Sequence, residues 1–313
     1  MKSTYLFLVR FGFFRSIVNL TRKIILPGFQ GLPLFDVTRF FVHGLQNGGL
    51  TTRASSLAFR QFLALFPGII FLFTLIPYIP VHGFQEQLLG LIHDMMPYNA
   101  YMAARETIED IVKQQRGGLL SLGFVFSLYF SANSMNALIT SFNQTAHTIE
   151  TRKPIQQYIA ALLLTISGVI ILLTSIGLII FTKYMIGKLV AAGWIKSRLT
   201  IYFINDIKWI IICILLFCMI SLIYYYGPAK RNKFRFISAG SSLATLLTLA
   251  TSVGFTFFVN HFGKYNKLYG SIGTLIVIML WIYFNALVML IGFELNASIG
   301  GAKKIKQNQH RLK

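Results

Sequence analysis

The sequence predicts an all-α, polytopic membrane protein with six transmembrane helices. Hydrophobic residues make up 55% of the 313 residues, a larger share than in soluble globular domains, and the mean hydropathy is +0.64. Each of six apolar stretches runs for about 18–28 residues, enough to cross a hydrocarbon layer of about 30 Å at 1.5 Å per residue. These stretches begin near Leu57, Leu119, Gln157, Trp209, Ile237 and Tyr269.

Residues 1–50 are predicted to form a cytoplasmic and interfacial segment before the first span. Residues 1–26 are basic and rich in Phe, which favours a position on the membrane surface. After a break that contains Pro27 and Pro33, Asp36 is predicted to cap a second interfacial helix ending near Gln46.

Residues 51–300 are predicted to form the six-helix transmembrane domain. In the first span, over residues 57–79, Pro67 removes one backbone hydrogen bond and predicts a kink. Residues 80–117 are predicted to form an extracytoplasmic helical loop, because Pro97 can begin a helix and Gly117 can end it. The later spans are predicted over residues 119–141, 158–181, 209–226, 237–259 and 268–297. Residues 301–313 are predicted to form a basic, disordered cytoplasmic tail.

The net charge of +20 is spread among the loops rather than along one face, which disfavours nucleic-acid binding. If the N-terminus is cytoplasmic, then the N-terminal segment, the second and fourth loops and the tail receive most of the 29 Lys and Arg residues. The positive-inside rule then predicts that both termini are cytoplasmic. Membrane lipids are the expected partners of such a chain.

The residue inventory disfavours an enzyme. The sequence has no Ser-His-Asp arrangement, paired carboxylates, phosphate-binding loop or dinucleotide fingerprint. Cys213 and Cys218 lie on different faces of the fourth span, so a local disulfide or a shared metal is not expected. We therefore expect no catalytic residue, no metal and no cofactor.

Two spans carry rows of polar residues at helical spacing. The second span has Asn133, Asn136, Thr140, Asn143 and Gln144 on one face, and the fifth has Ser241, Thr245 and Thr248. Amide groups in hydrocarbon must find partners or water. The rows therefore predict either a polar substrate path or hydrogen bonds that hold helices together.

A third set of polar residues lies at the predicted cytoplasmic ends of the spans. Arginine binds phosphate and carboxylate groups in a bidentate manner, so this set is a candidate gate or head-group site. The alternative is structural, with Arg60 extending to the interface. Glu294 would then form an ion pair with Arg53, Arg60 or Arg235. The set comprises Arg53, Arg60, Arg235, Glu294 and Asn296.

Several of these residues lie in motifs through which the chain resembles the YihY/BrkB family of bacterial inner-membrane proteins. The motifs are RASSLAF at residues 53–59, LALFP at 63–67, RFISAG at 235–240, YGSIG at 269–273, LWIY at 280–283 and GFELNA at 292–297. They occur in the family's order and cover about residues 35–300. Arg60 and Gln61 depart from the aromatic pair common in relatives, which leaves the role of Arg60 open.

The resemblance implies a six-helix inner-membrane protein with both ends in the cytoplasm. Some relatives carry a ribonuclease BN label, which these residues do not support, and others carry a virulence label. Transport or export of a lipid or envelope precursor is the activity usually suggested for the family. The leading hypothesis is therefore a transporter or flippase-like protein for a lipid or anionic amphipathic substrate. The alternative is a non-transporting scaffold of an envelope complex.

Overall fold

The computed structural model describes residues 20–78, 85–86, 89–90, 98–145, 152–193, 198–229, 235–261 and 271–311. Within these ranges the regular structure is helical. The helices are α1 (Leu34–Asn47), α2 (Leu50–Leu75, extended by one 3-10 turn), α3 (Tyr98–Lys113), α4 (Gly117–Asn143), α5 (Pro154–Ala191), α6 (Arg198–Tyr226), α7 (Ala239–His261) and α8 (Ser271–Arg311).

Six of these helices, α2 and α4 to α8, contain segments long and apolar enough to cross a membrane. This finding confirms the predicted all-α, polytopic fold class. The helix in the largest loop is present as α3, which ends at Lys113 shortly before Gly117 begins α4. Its position outside the cytoplasm stays a prediction. Residues 1–19 of the predicted N-terminal surface segment lie outside the described residues.

The described chain divides into two compact units. Unit 1 contains residues 1–58 and 135–313, and unit 2 contains residues 59–134. Helices α2 and α4 each contribute one part to unit 1 and the other part to unit 2.

The core of unit 1 is built around three aromatic side chains. Phe142 and Phe293 stack with ring centroids 4.1 Å apart, and Tyr224 meets both rings edge-on. The Tyr224 hydroxyl donates to the carbonyl of Met289 at 2.6 Å, so its buried polar group is satisfied. The core therefore joins α4, α6 and α8.

Small residues bring α7 and α8 close together in unit 1. A Cβ atom added at Gly240 would overlap the carbonyl of Gly292, and one added at Gly292 would lie 2.6 Å from the Ala244 Cβ. Close backbone approach through Gly and Ala is a common way for membrane helices to pack. This contact fixes the start of α7 against the segment of α8 around Gly292.

The last helix differs most from its sequence prediction. Helix α8 is 41 residues long and continues to Arg311, so the predicted disorder is wrong for residues 301–311. Ile299 and Ala302 pack against Phe29 and Leu32, which are buried in the turn before α1. This long-range packing holds a basic extension that composition alone assigns to a disordered tail.

The N-terminal turn is compact. Gly28 and Gly31 have positive φ angles of 89° and 78°, which glycine adopts without strain. The amide of Leu34 donates to the carbonyl of Ile24 at 2.8 Å and closes the turn. The residue before α1 is Pro33, so Asp36 lies in the first turn instead of at the predicted cap. The carboxylate is still favourably placed near the positive end of the helix.

Unit 2 is formed by the later part of α2, the first part of α4, and α3. Gly123 allows α4 to approach the backbone of Phe71 closely, since an added Cβ would lie 3.3 Å from it. On α3, Arg105 donates a 2.8 Å hydrogen bond to Glu109 and lowers the pKa of that carboxyl below its ordinary value. Val112 packs with Ile76 and ties α3 to the turn after α2.

Candidate functional site

The first polar cluster of unit 1, the Arg53 centre, consists of Arg53, Glu294 and two backbone carbonyls. The Nη1 group of Arg53 donates to the carbonyls of Ser141 and Gln144, each at 2.7 Å. Its Nη2 atom lies 3.9 Å from Oε2 of Glu294, and the two side chains are 15% and 1% exposed. The centre therefore joins α2, the end of α4 and α8.

Helix ends explain why the guanidinium lies there. Helix α4 ends at Asn143, and the last carbonyls of a helix lack intrahelical donors and carry the negative end of the helix dipole. A planar guanidinium can donate to several such acceptors at once. Sequence reasoning left three arginines as partners for Glu294, and the structure places Arg53 beside it.

Helix α1 covers this ion pair. A Cβ atom added at Gly44 would overlap the carboxylate of Glu294, and one added at Gly48 would lie 3.4 Å from Nη2 of Arg53. The absence of a side chain at Gly44 lets the backbone of α1 lie against the Glu294 carboxylate, whereas the distance at Gly48 is an ordinary van der Waals contact. Helix α1 is thus part of the site. The sequence predicted it as an interfacial helix and gave no sign of this contact.

The second polar cluster is centred on Gln157 of α5. Its Nε2 group donates to Oδ1 of Asn136 at 2.8 Å and to Oγ1 of Thr140 at 2.9 Å. Asn143 donates to Oε1 of Gln157 at 3.3 Å and accepts from the amide of Ala229 at 2.9 Å. Three residues of the predicted row on α4 therefore bond to α5 and to the turn after α6.

Sequence reasoning did not single out Gln157. The available signal was an amide side chain early in the third span, close in sequence to Asn143 and Arg152. Arg152 donates to the carbonyl of Pro228 at 2.9 Å, which fixes the same turn after α6. The two remaining residues of the row lie elsewhere: Gln144 is exposed and offers its carbonyl to Arg53, and Asn133 lies in unit 2.

The third polar cluster caps the start of α7. Ser238 and Ser241 exchange hydrogen bonds of 3.1 Å between each side-chain oxygen and the other's backbone amide. Asn296 of α8 accepts from the amide of Gly240 and donates to Oγ of Ser238, both at 2.9 Å. Asn296, predicted as a gate residue, therefore bonds to the Gly240 amide and the Ser238 hydroxyl at the start of the neighbouring helix α7.

The hydroxyl row on α7 bonds largely to its own helix. Thr245 is buried and donates to the carbonyl of Ser241 at 2.8 Å, while Ser252 donates to the carbonyl of Thr248 at the same distance. Such bonds satisfy hydroxyl groups without a partner on another helix. Arg235 is exposed just before α7 and lines a pocket of about 10 Å³ with Ser238 and Asn296, among others.

Unit 2 contains a different kind of polar pair. Arg60 of α2 is exposed, and its Nη1 group donates to Oδ1 of Asn133 on α4 at 3.4 Å. This is the single partner found for Arg60 among the described residues. Part of the guanidinium therefore stays available on the surface of unit 2.

No described set of His, Cys, Asp or Glu residues forms a group of three able to hold a metal ion. Cys213 and Cys218 are free thiols.

Comparisons with known proteins agree with this architecture. The family described as virulence factor BrkB matches residues 41–313. The ribonuclease-like protein YfkH of Bacillus subtilis (strain 168) is 31% identical over 254 residues, which cover 81% of this chain and 91% of its own. A UPF0761 membrane protein of Pseudoalteromonas atlantica is 25% identical over 82% of this chain and 83% of its own.

A UPF0761 membrane protein of Chlorobium limicola is 25% identical over 91% of this chain but only 64% of its own. No significant match was found among solved structures. The family match covers all six candidate membrane helices and the three polar clusters of unit 1. The chain therefore belongs to the BrkB family of multi-pass membrane proteins.

Proposed function

We propose that the protein is a bacterial inner-membrane protein, with both termini in the cytoplasm, that moves a lipid or another anionic amphiphile across the membrane. The distribution of Lys and Arg supports the orientation, because the predicted cytoplasmic segments carry most of the cations. Several membrane helices with polar residues on their inner faces support a role that requires passage of a polar group.

The Arg60–Asn133 pair is the observation that supports transport most strongly. Arg60 lies three residues, about 5 Å, inside the predicted first span, which begins at Leu57. A guanidinium within a span is costly unless it reaches the interface or meets water or an anionic group. One amide oxygen at 3.4 Å leaves most of its five donors for another acceptor, and a phosphate or carboxylate head group fits them.

The other polar residues take supporting roles in this proposal. Arg53 and Glu294 hold the cytoplasmic end together, while Asn136, Thr140 and Asn143 fix α4 against α5. The residues at the start of α7 hold that helix on α8. Substrate contact is thereby assigned to Arg60 and Asn133, because their one hydrogen bond, at 3.4 Å, leaves most donors of the guanidinium unused.

Lipid flux in liposomes tests the proposal. Purified protein is reconstituted with fluorescent phosphatidylglycerol or phosphatidylcholine, and transfer between leaflets is measured by chemical quenching. We expect faster transfer of the anionic probe than in protein-free liposomes, and about tenfold slower transfer with Arg60→Gln. The control Lys188→Gln removes one exposed cation from α5 and should transfer at the wild-type rate. Flux equal to protein-free liposomes would contradict the proposal.

A scaffold without transport is the second candidate. It is favoured by the hydrogen bonds of Gln157 and Asn296, each of which joins different helices. A scaffold predicts a stable, folded protein with no lipid flux and the same co-purifying envelope proteins for wild type and Arg60→Gln. The ribonuclease-like name of the Bacillus subtilis relative is not carried into this proposal, which assigns no catalytic residue; among the described residues no group of three His, Cys, Asp or Glu could hold a metal ion.

A further inference from the structure

A groove of about 700 Å³, here called the α1–α8 groove, lies in unit 1 outside the three polar clusters. Its volume is within the range of small-molecule sites in proteins. The groove combines an apolar floor with charged residues at its rim. It is lined by Leu32, Asp36, Arg39, Phe40, His43, Ala302, Ile305 and Lys306.

The two walls of the groove are packed against each other. Val37 of α1 is 1% exposed and lies in one cluster with Leu295 and Ile299 of α8. Nearby, Lys303 donates to Oε1 of Gln30 at 3.1 Å, and this bond ties the extension of α8 to the N-terminal turn. The groove is thus a feature of the folded unit and has a defined shape.

The rim of the groove is cationic. Arg39 of α1 and Lys306 of α8 are both exposed, and the lining also includes one exposed carboxylate, Asp36 of α1. Lys304 adds a further exposed cation on the extension. Leu32 and Ala302 form the buried apolar floor, and Phe40 and Ile305 add apolar surface, with Ile305 48% exposed. A charged rim over an apolar floor matches an anionic head group joined to a hydrocarbon chain.

The groove also lies at the end of a membrane helix. The candidate span of α8 covers Leu275–Gln307 and so includes the wall formed by Ala302 to Lys306. Helix α1 ends at Asn47, three residues before α2 begins at Leu50. We therefore expect the groove to lie near the surface of the bilayer, where a lipid can reach it.

We propose that the α1–α8 groove binds one anionic phospholipid from the adjacent leaflet. Arg39 and Lys306 hold the phosphate, and Phe40 and Ile305 contact the glycerol and the first acyl carbons. The apolar floor favours a lipid over a soluble phosphate compound. The inference does not rest on transport, since a lipid that is held and never moved would occupy the groove equally.

Native mass spectrometry of the full-length protein in detergent tests this site. The protein is titrated with phosphatidylglycerol or with phosphatidylcholine of the same acyl chains. We expect a preference for phosphatidylglycerol that falls about tenfold in the double variant Arg39→Gln/Lys306→Gln. The control Lys153→Gln/Lys188→Gln removes the same charge from exposed positions outside the groove and should keep the wild-type affinity.

Two further measurements separate the alternatives. Glycerol phosphate at matched concentration should not displace the lipid, and full displacement would assign the groove to a soluble phosphate. The variant Ile305→Ser should weaken phosphatidylglycerol binding without a change of charge. If the double glutamine variant fails to fold, Arg39→Lys/Lys306→Arg should fold and keep the preference. Equal phosphatidylglycerol affinity in the double glutamine variant and wild type would overturn the proposal.

Discussion

Two arginines on helix α2 illustrate opposite uses of the same side chain. Arg53 lies in unit 1, is 15% exposed and meets two carbonyls and the carboxylate of Glu294. Arg60, two turns further along the helix, lies in unit 2, is exposed and meets one amide oxygen of Asn133 at 3.4 Å. The number and geometry of acceptors, and not the residue type, distinguish a cation that holds helices together from one available to a ligand.

The largest expected effect is on the Arg53 centre. Arg53→Gln leaves a buried carboxylate with less compensation, which costs about 3–5 kcal/mol of unfolding free energy. Denaturant unfolding in detergent measures this loss. The double variant Arg53→Met/Glu294→Leu removes both charges and should recover part of it. A loss below about 1 kcal/mol for Arg53→Gln would remove the distinction between the two arginines.

The next effect tests the helix that covers the ion pair. In Gly44→Ala the new methyl group would overlap the Glu294 carboxylate, so the unfolding free energy should fall by about 1–3 kcal/mol. Gly254→Ala on α7 is the matched control, because an added Cβ there has no atom within 4 Å. The control should be neutral or more stable, since Ala favours helix over Gly by about 1 kcal/mol. Equal stability of the two variants would show that α1 is not in close contact with the Glu294 carboxylate.

A smaller effect is expected at Gln157. Gln157→Ala removes the partner of three side chains on α4 and should cost about 1–2 kcal/mol, because single side-chain hydrogen bonds in membrane proteins contribute about 0.6 kcal/mol on average. Gln156→Ala changes its exposed neighbour and should stay within about 0.5 kcal/mol of wild type. Equal losses would indicate that the amide cluster contributes nothing specific.

The smallest effect on stability is expected at Arg60, where function should respond instead. Arg60→Gln changes an exposed side chain and should shift the unfolding free energy by less than about 0.5 kcal/mol. Its lipid transfer rate should fall about tenfold, equivalent to about 1.4 kcal/mol. Thermal unfolding and flux are measured on the same preparation. A large loss of stability in Arg60→Gln, with unchanged flux per folded molecule, would assign Arg60 to stability and not to substrate contact.

The membrane helices could be predicted because their signal is local. An apolar run of sufficient length specifies a span, and Gly117 marks the start of α4 closely. The extension of α8 could not be predicted, because Ile299 and Ala302 are held by Phe29 and Leu32, which are far away in sequence. Charge composition alone describes residues 301–311 as a disordered tail.

The polar rows were predictable as rows, but their partners were not. Spacing places Asn136, Thr140 and Asn143 on one face, and it says nothing about which helix faces them. The partner, Gln157, lies in another span and has no periodic signal of its own. In the same way, the sequence offered three equivalent partners for Glu294, namely Arg53, Arg60 and Arg235. Arg53 is distinguished from the other two by the carbonyls at the end of α4 and by the backbone of α1 beside Glu294.

A paired comparison of Arg53→Gln and Arg60→Gln tests the central claim most directly. Both variants lose one positive charge from the same helix, and both are assayed for unfolding free energy and for phosphatidylglycerol flux per folded molecule. We expect Arg53→Gln to lose stability by several kcal/mol, and Arg60→Gln to keep its stability and lose flux. Loss of flux in neither variant, or loss of stability in Arg60→Gln alone, would contradict the account.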